Sequence, residues 1–330
     1  MKKLVILNSI FLLLLFAGIS LGQTKNQETK LLEQGIQAYN SGKFQDAIDQ
    51  FEKALSLFQR LSNRLRKVEG VTYCMHYIGL SYLELGYPIK AIACFENNLS
   101  IYLQLKHQEG LAVTLLNLGR SYTSMVRYED ALVHYADALK IYKQLKNKRG
   151  IAATIGDIAN TQFSLAHYSE AITYYREMLK LYEELNDKQG IALAFNGIGI
   201  THGKMFEFDM AITYQEKALE IHKKLNSMQG ITMTLNYMGD IYRGMGDRDK
   251  ALTQYEQVSK IYWQLDNKQK TAESLNSIGE TYFELAQYDK ALAYYEEALK
   301  IHKQLNTPKN TALHSTSYCT TQHFARCSII

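Results

Sequence analysis

Residues 267–306 read NKQKTAESLNSIGETYFELAQYDKALAYYEEALKIHKQLN, and they form one copy of a unit that recurs along the chain. Shifting this copy back by 40 residues places Gly279 on Gly239 and Leu305 on Leu265. Five further glycines stand 40 residues apart without an insertion: Gly70, Gly110, Gly150, Gly190 and Gly230. A fixed period in this range is typical of architectures built from stacked repeats.

Each repeat predicts two helices, because its apolar residues recur at helical rather than strand spacing. Residues with N-capping side chains open the first helices at Asn147, Asp187, Ser227 and Asn267. The same argument predicts that the second helices open at Ser169, Asp209, Asp249 and Asp289. The fold class predicted from this agreement is all-α.

Small residues recur at two registers, which predicts close helix packing. Glycine costs roughly 1 kcal/mol against alanine inside a helix. Its recurrence at Gly79, Gly119, Gly199, Gly239 and Gly279 therefore indicates the close approach of another helix. The alanines of the second helix, such as Ala211 and Ala251, are the expected facing surface.

These residues carry a family resemblance. Leu275, Ile278, Gly279, Tyr282, Ala291, Tyr295 and Ala298 match the tetratricopeptide repeat pattern in order and spacing. At 40 residues the unit resembles the longer variant of Leu-Gly-Asn-repeat scaffolds and kinesin light chains. It also resembles the bacterial arrays that precede a CHAT protease or a histidine kinase. The resemblance implies a right-handed superhelical solenoid of about seven stacked antiparallel helix pairs.

The repeats divide most of the chain. We predict a signal peptide at 1–22, a polar lead at 23–30, the solenoid at 31–306, and a degenerate or truncated eighth repeat at 307–330. The predicted repeats lie near 31–66, 67–106, 107–146, 147–186, 187–226, 227–266 and 267–306.

The N-terminus predicts export. Lys2 and Lys3 precede an apolar run, and Ser20 and Gly22 place small residues before a possible cut at Gln23. The protein is therefore expected to act in the periplasm or outside the cell. An uncleaved membrane anchor is the less favoured alternative.

The overall charge favours no polyanionic partner. The formal net charge is +4, and two of these charges belong to Lys2 and Lys3. Such a small excess predicts neither nucleic-acid binding nor membrane binding beyond a possible N-terminal anchor.

The sequence gives no motif for catalysis, so an enzyme and a cofactor are not expected. His314, Cys319, His323 and Cys327 lack the spacing of a zinc site. His222 and His302 occupy a register where other repeats have tyrosine, and they are interpreted as aromatic residues on a helix surface.

Binding is the better-supported function, and the resemblance places the candidates on the groove side of the first helices. Asn196, Asn236 and Asn276 form one ladder at a 40-residue spacing. Arg120, Asn160, Asp240 and Glu280 occupy the register after the small residue. The asparagine amides either hold the backbone of an extended ligand or bond adjacent repeats to each other. Carboxylates such as Glu273 and Glu284 predict an acidic C-terminal half of this groove.

Two functions remain open at this point. The first is a non-enzymatic scaffold that binds a protein or peptide in its groove. The second is the N-terminal sensing region of a larger signalling protein or CHAT-type protease, cut short near Asn310.

Overall fold

The computed structural model describes residues 26–305 and Thr321. Fourteen helices and no strand lie in this part of the chain. They are α1 (Gln27–Asn40), α2 (Phe44–Gln59), α3 (Arg64–Glu84), α4 (Pro88–Leu105), α5 (Gln108–Ser124), α6 (Tyr128–Gln144), α7 (Lys148–Ser164), α8 (Tyr168–Glu184), α9 (Lys188–Lys204), α10 (Phe208–Lys224), α11 (Met228–Met245), α12 (Arg248–Gln264), α13 (Lys268–Glu284) and α14 (Tyr288–Gln304). The all-α prediction is confirmed.

The chain divides into two compact units, an N-terminal unit that ends at Thr161 and a C-terminal unit that begins at Gln162. Within the N-terminal unit the consecutive helices α1 to α6 pack on one another in chain order, and α3 also reaches α5. Within the C-terminal unit the consecutive helices α8 to α14 pack on one another in chain order, and α9 also reaches α11. Turns of a few residues make consecutive helices antiparallel. Each unit is therefore a stack of helix pairs.

The first helices are capped as predicted. The side chains of Asn147, Asp187, Ser227 and Asn267 each accept a hydrogen bond from the backbone N–H three residues later, at 2.9–3.3 Å. These bonds satisfy donors that the first turn of a helix leaves free.

The predicted N-caps of the second helices are wrong by two residues, since the observed N-caps are His167, Glu207, Asp247 and Gln287. These helices begin at Tyr168, Phe208, Arg248 and Tyr288, so Ser169, Asp209, Asp249 and Asp289 lie inside the first turn. The three aspartates there favour the helix by charge, because the N-terminal end of a helix dipole is positive.

The start of the solenoid also differs from the predicted boundary. Helix α1 begins at Gln27, within the predicted polar lead of residues 23–30. Glu28 is buried, and its carboxylate accepts a hydrogen bond from Arg66 at 3.0 Å. The hydrogen bond between Arg66 and Glu28, which are 38 residues apart in sequence, anchors the first turn of α1. The local composition of residues 23–30 does not predict it.

Four of the five mid-helix glycines make room for rings rather than for alanines, and Gly199 instead faces the Gln215 side chain and the backbone carbonyl of Ala211. A Cβ added at Gly119 would lie 2.4 Å from Cε1 of Tyr135, and one at Gly239 would lie 2.5 Å from Cε1 of Tyr255. Both tyrosines lie four residues beyond the recurring alanine of their own second helix. The expectation that alanine faces the glycine is corrected at these two positions, although the alanines themselves, such as Ala251, are fully buried.

A second glycine register forms the contact between consecutive repeats. Gly110, Gly150 and Gly190 lie directly under the rings of Tyr102, Tyr142 and Tyr182, the aromatic residues near the ends of the preceding second helices. His222 covers Gly230 in the same way, with Nδ1 2.2 Å from the position of an added Cβ. Both His222 and His302 are fully buried, so their interpretation as surface residues is wrong.

The predicted signal peptide and most of the predicted eighth repeat, with Cys319 and Cys327, lie outside the described residues. Thr321, which is described, is helical and buried, and it hydrogen-bonds to Tyr295. It stands 40 residues after Thr281, a buried residue of α13. Cys74 and Cys94 are free thiols, and burial raises the pKa of both.

Replacing Gly239 by alanine is expected to destabilise the protein by about 1–3 kcal/mol, because the added methyl group would overlap the ring of Tyr255. Thermal unfolding measures the effect. Gly244→Ala in the same helix is the matched control, since its Cβ would approach Phe208 no closer than 3.3 Å. Equal melting temperatures for the two variants would contradict a ring-on-glycine contact.

Candidate functional site

The asparagine ladder does not have one environment. Asn196 on α9 is buried, whereas Asn236 on α11 and Asn276 on α13 are half-buried. Asn196 accepts a hydrogen bond from the hydroxyl of Thr234 at 3.1 Å, and its backbone carbonyl accepts one from Gln215 at 3.2 Å. Thr234 belongs to the next repeat, so Asn196 bonds adjacent repeats to each other. A groove role is thereby left to the two half-buried members.

His222 completes the polar cluster around Asn196. The amide nitrogen of Asn196 lies 3.4 Å from Nε2 of His222. Because that amide can only donate, Nε2 must accept, and the imidazole proton sits on Nδ1. Nδ1 of His222 has no hydrogen-bond partner among the described residues, nor does Oε1 of Gln215. Burial lowers the pKa of His222.

Asn276 also forms a hydrogen bond, but within its own helix. Its amide nitrogen donates to Oε1 of Glu280 at 2.8 Å, one turn along the same helix. Asp240 is exposed and accepts a hydrogen bond from the hydroxyl of Tyr255 at 2.5 Å. Burial, followed by the charge of Asp240, raises the pKa of Tyr255. Hydrogen bonds thus hold three of the predicted residues in fixed orientations, namely Asn276, Glu280 and Asp240.

In the N-terminal unit, Arg120 is half-buried and forms an ion pair. Its Nε donates to Oδ2 of Asp157 at 2.7 Å, and Nη1 lies 3.5 Å from Oδ1 of Asn117. Asn160 is exposed on α7. The structure therefore places Arg120 in a bond between neighbouring first helices, and it leaves Asn160 on the surface.

The carboxylates near the C-terminal end are paired with arginines that sequence analysis did not single out. Nη1 of Arg243 donates to Oε2 of Glu280 at 3.0 Å, and its Nε lies 3.8 Å from Glu284. Arg248 pairs with Glu284 at 3.2 Å. Glu273 pairs with Lys270. The prediction of an acidic half is corrected, because cations offset these charges at close range.

One spacing would have revealed Arg243. Arg120 and Asp157 are 37 residues apart, and so are Arg243 and Glu280. This spacing is one helical turn less than the repeat, so a long side chain on one first helix reaches the next. A search for opposite charges at this offset would have found both pairs.

The described residues contain no group of three or more histidine, cysteine or acidic side chains that is arranged to hold a metal ion. The four residues weighed as a zinc site, His314, Cys319, His323 and Cys327, fall outside that part of the chain.

A sequence model of the tetratricopeptide repeat matches residues 71–144, 150–224 and 230–304, more than half of the chain. The chain belongs to the tetratricopeptide repeat family. No curated protein sequence matches it.

Solved structures with a similar fold come from several kinds of tetratricopeptide repeat protein. BtubC from P. vanneervenii is 20% identical with a TM-score of 0.58, over 68% of this chain and 92% of that one. A Rap protein complexed with competence and sporulation factor is 17% identical with a TM-score of 0.62, over 92% and 90%. A STAND protein with a tetratricopeptide repeat sensor, from Pyrococcus horikoshii, is 15% identical with a TM-score of 0.64, over 89% and 44%. At these identities the likeness shows the fold alone.

With His222 replaced by tyrosine, the protein is expected to lose less stability than the wild type as the pH falls. The folded state lowers the pKa of His222, so the unfolded chain binds the proton first and stability falls as the pH drops below about 6.5. A charged imidazole would also turn an N–H donor toward the donor on Asn196. Melting temperatures measured between about pH 7.5 and about pH 5 test this, a range that spans the ordinary pKa of histidine.

The control is Thr234→Val, which removes the hydroxyl that donates to Asn196 in the same cluster and leaves every titratable group in place. It should leave the pH dependence of the melting temperature as it is in the wild type. An unchanged pH dependence in His222→Tyr as well would disprove the role of His222.

A third variant tests the arginine network. Arg243→Met removes the pairing with Glu280 and Glu284, and it is expected to lower stability by about 1 kcal/mol because the pairs are partly exposed. Added salt should shrink the difference from wild type. A difference in unfolding free energy that grows in high salt would argue against an ionic origin.

Proposed function

We propose that the chain is an exported, non-enzymatic interaction protein that binds an extended peptide or protein segment on the first helices of its C-terminal unit. Two features support this proposal: membership of a family whose members usually bind proteins, and the row of polar side chains on α11 and α13. The observation that carries it is the pair of half-buried amides, Asn236 and Asn276, at one register of successive first helices.

The chemistry of this row fits a peptide backbone. A peptide strand offers N–H donors and carbonyl acceptors in alternation, and an asparagine amide presents both groups. Asp240 and Glu280 add acceptors, while Arg243 adds donors beside them. Because these charges are bonded to fixed partners, they need less reordering when a ligand binds. A ligand with mixed polar groups is favoured over a strongly acidic one.

Panning a library of random peptides against the protein tests the proposal even though the partner is unidentified. Selected peptides should bind the wild type, and Asn236→Ala/Asn276→Ala should weaken them by about thirtyfold, since each of the two lost hydrogen bonds is worth roughly 1 kcal/mol. Calorimetric titration measures the dissociation constants.

The matched control is Asn97→Ala/Gln257→Ala, which removes two exposed amides from the second helices α4 and α12. It should bind the peptides as the wild type does. Peptides that bind both double variants equally well would place the binding surface elsewhere.

Export is proposed on the basis of residues 1–22 alone. Among residues 26–305, no helix combines the length and the hydropathy that a transmembrane segment requires. Sequencing the N-terminus of the protein recovered from its native host should give Gln23 as the first residue. A start at Met1 in the cytoplasmic fraction would reject export.

The second candidate is a sensing region of a larger signalling protein or CHAT-type protease. This candidate is supported by the similar fold of the STAND protein with a tetratricopeptide repeat sensor. The match spans 44% of that protein, which is therefore much longer than the matched region. Reading the genomic sequence beyond Ala312 in all frames decides it. A repeat that continues in another frame supports this candidate, and a stop in every frame rejects it.

A further inference from the structure

The turns that join consecutive repeats lie along one edge of the N-terminal unit. Tyr102 packs on Gly110 and hydrogen-bonds to Thr72, so the starts of α3 and α5 lie side by side. Tyr142 packs on Gly150 and interacts with the charge of Glu109, which places the start of α7 next in line. We call this surface, formed by residues 60–69, 103–109 and 143–149, the junction edge.

Positive charge is concentrated on the junction edge. Its cations are Arg60, Arg64, Arg66, Lys67, Lys106, Lys143, Lys146, Lys148 and Arg149, and its carboxylates are Glu69 and Glu109. Arg66 is paired with Glu28, and most of the remaining cations are exposed. The turns within the repeats, at the opposite ends of the same helices, mix both signs: Lys43, Asp46, Glu84, Lys90, Arg127, Glu129 and Asp130.

Several of these cations stand where a helix disfavours them. The N-terminal end of a helix dipole is positive and favours acidic residues. The first turns of α3 and α7 nevertheless contain no acidic residue, and they carry Arg64 and Lys148. The helix dipole therefore does not account for the charge at these two positions.

Exposed leucines accompany the cations at every junction of this unit. Leu65 is 69% exposed and Leu103 is 57% exposed, while Leu105 and Leu145 are 49% and 43% exposed. Single exposed leucines are ordinary on a protein surface. Here they recur at all three junctions on the same edge, each within a few residues of a lysine or arginine.

We propose that the junction edge of the N-terminal unit binds the surface of an anionic lipid bilayer, with its leucines entering the interface and its cations meeting the headgroups. Neighbouring first helices such as α3 and α5 lie side by side, and packed helices lie about 10 Å apart, so the three junctions together span about 20 Å. A flat anionic surface contacts all three junctions at once. Lysine and arginine near such a surface each add to its binding, and apolar side chains add by burial.

This inference changes an expectation based on net charge. The charge of +4 favours no anionic partner when it is averaged over the chain. The fold gathers cations from three separate turns onto one edge and leaves most of the carboxylates elsewhere. The bilayer surface is also distinct from the peptide surface proposed on the first helices of the C-terminal unit, so each can fail alone.

Sedimentation of the full chain with lipid vesicles tests the inference. Binding is expected to vesicles of phosphatidylglycerol and phosphatidylcholine in equal parts, and it should weaken as salt rises from about 0.05 M to about 0.5 M. Lys106→Asn/Lys146→Asn should reduce the partition coefficient about thirtyfold. Asparagine suits these left-handed positions, since Asn186 and Asn226 occupy the equivalent sites with the same backbone conformation.

A second variant tests the apolar part. Leu65→Gln/Leu103→Gln should reduce binding severalfold at every salt concentration, because burial of leucine is not screened. Lys43→Asn/Lys53→Gln is the control, since it removes two exposed cations away from the junction edge and should bind as the wild type does. The apolar run at residues 4–21 is common to all variants, so differences between them report on the edge.

Two results would overturn the inference. One is partition into anionic vesicles that is equal for the wild type and both junction-edge variants. The other is a combination of two observations: the wild type does not bind vesicles, and the junction-edge variants lose binding to an acidic protein partner. That result would assign the edge to the protein partner instead.

Discussion

The contact between an aromatic ring and a glycine backbone is the interaction on which the stacking of this protein depends. It occurs within the helix pairs, where Tyr135 covers Gly119, and between repeats, where Tyr142 covers Gly150. Each contact lets a ring lie directly on a helix, which any side chain at that position would prevent. Where a repeat has both contacts, as the repeat of Gly119 and Tyr142 does, they fix the spacing within the pair and the step to the next pair.

The polar cluster of the C-terminal unit lies where other side chains replace the tyrosines of this contact. Gln215 stands at the register of Tyr255, and His222 stands at the register of Tyr182. Both replacements bond to Asn196, which supplies a carbonyl to the first and an amide to the second. Exchanging a ring for a polar side chain is tolerated because the backbone and the asparagine provide partners, but it makes the cluster sensitive to protonation.

Charge has two separate roles in the structure. Along the first helices, arginine and carboxylate pair across repeats at a spacing of 37 residues, and the pair in the C-terminal unit orients the polar surface proposed to bind a peptide. At the junctions of the N-terminal unit, nine lysines and arginines stand with two carboxylates, Glu69 and Glu109. The first arrangement organises a surface within the protein, and the second creates a field directed at a partner.

The sequence by itself determined the all-α fold, the repeat length and the caps of the first helices, because these depend on local periodicity and on contacts within three or four residues. It also identified the glycines, whose cost in a helix requires a packing reason. Only the tertiary structure decided which residue each glycine faces, since the covering ring lies 8 residues away in one register and 16 in the other, on a different helix. Likewise only the structure separated buried Asn196 from half-buried Asn236. The two residues are identical and occupy the same register, but their burial depends on the side chains that neighbouring helices place around them.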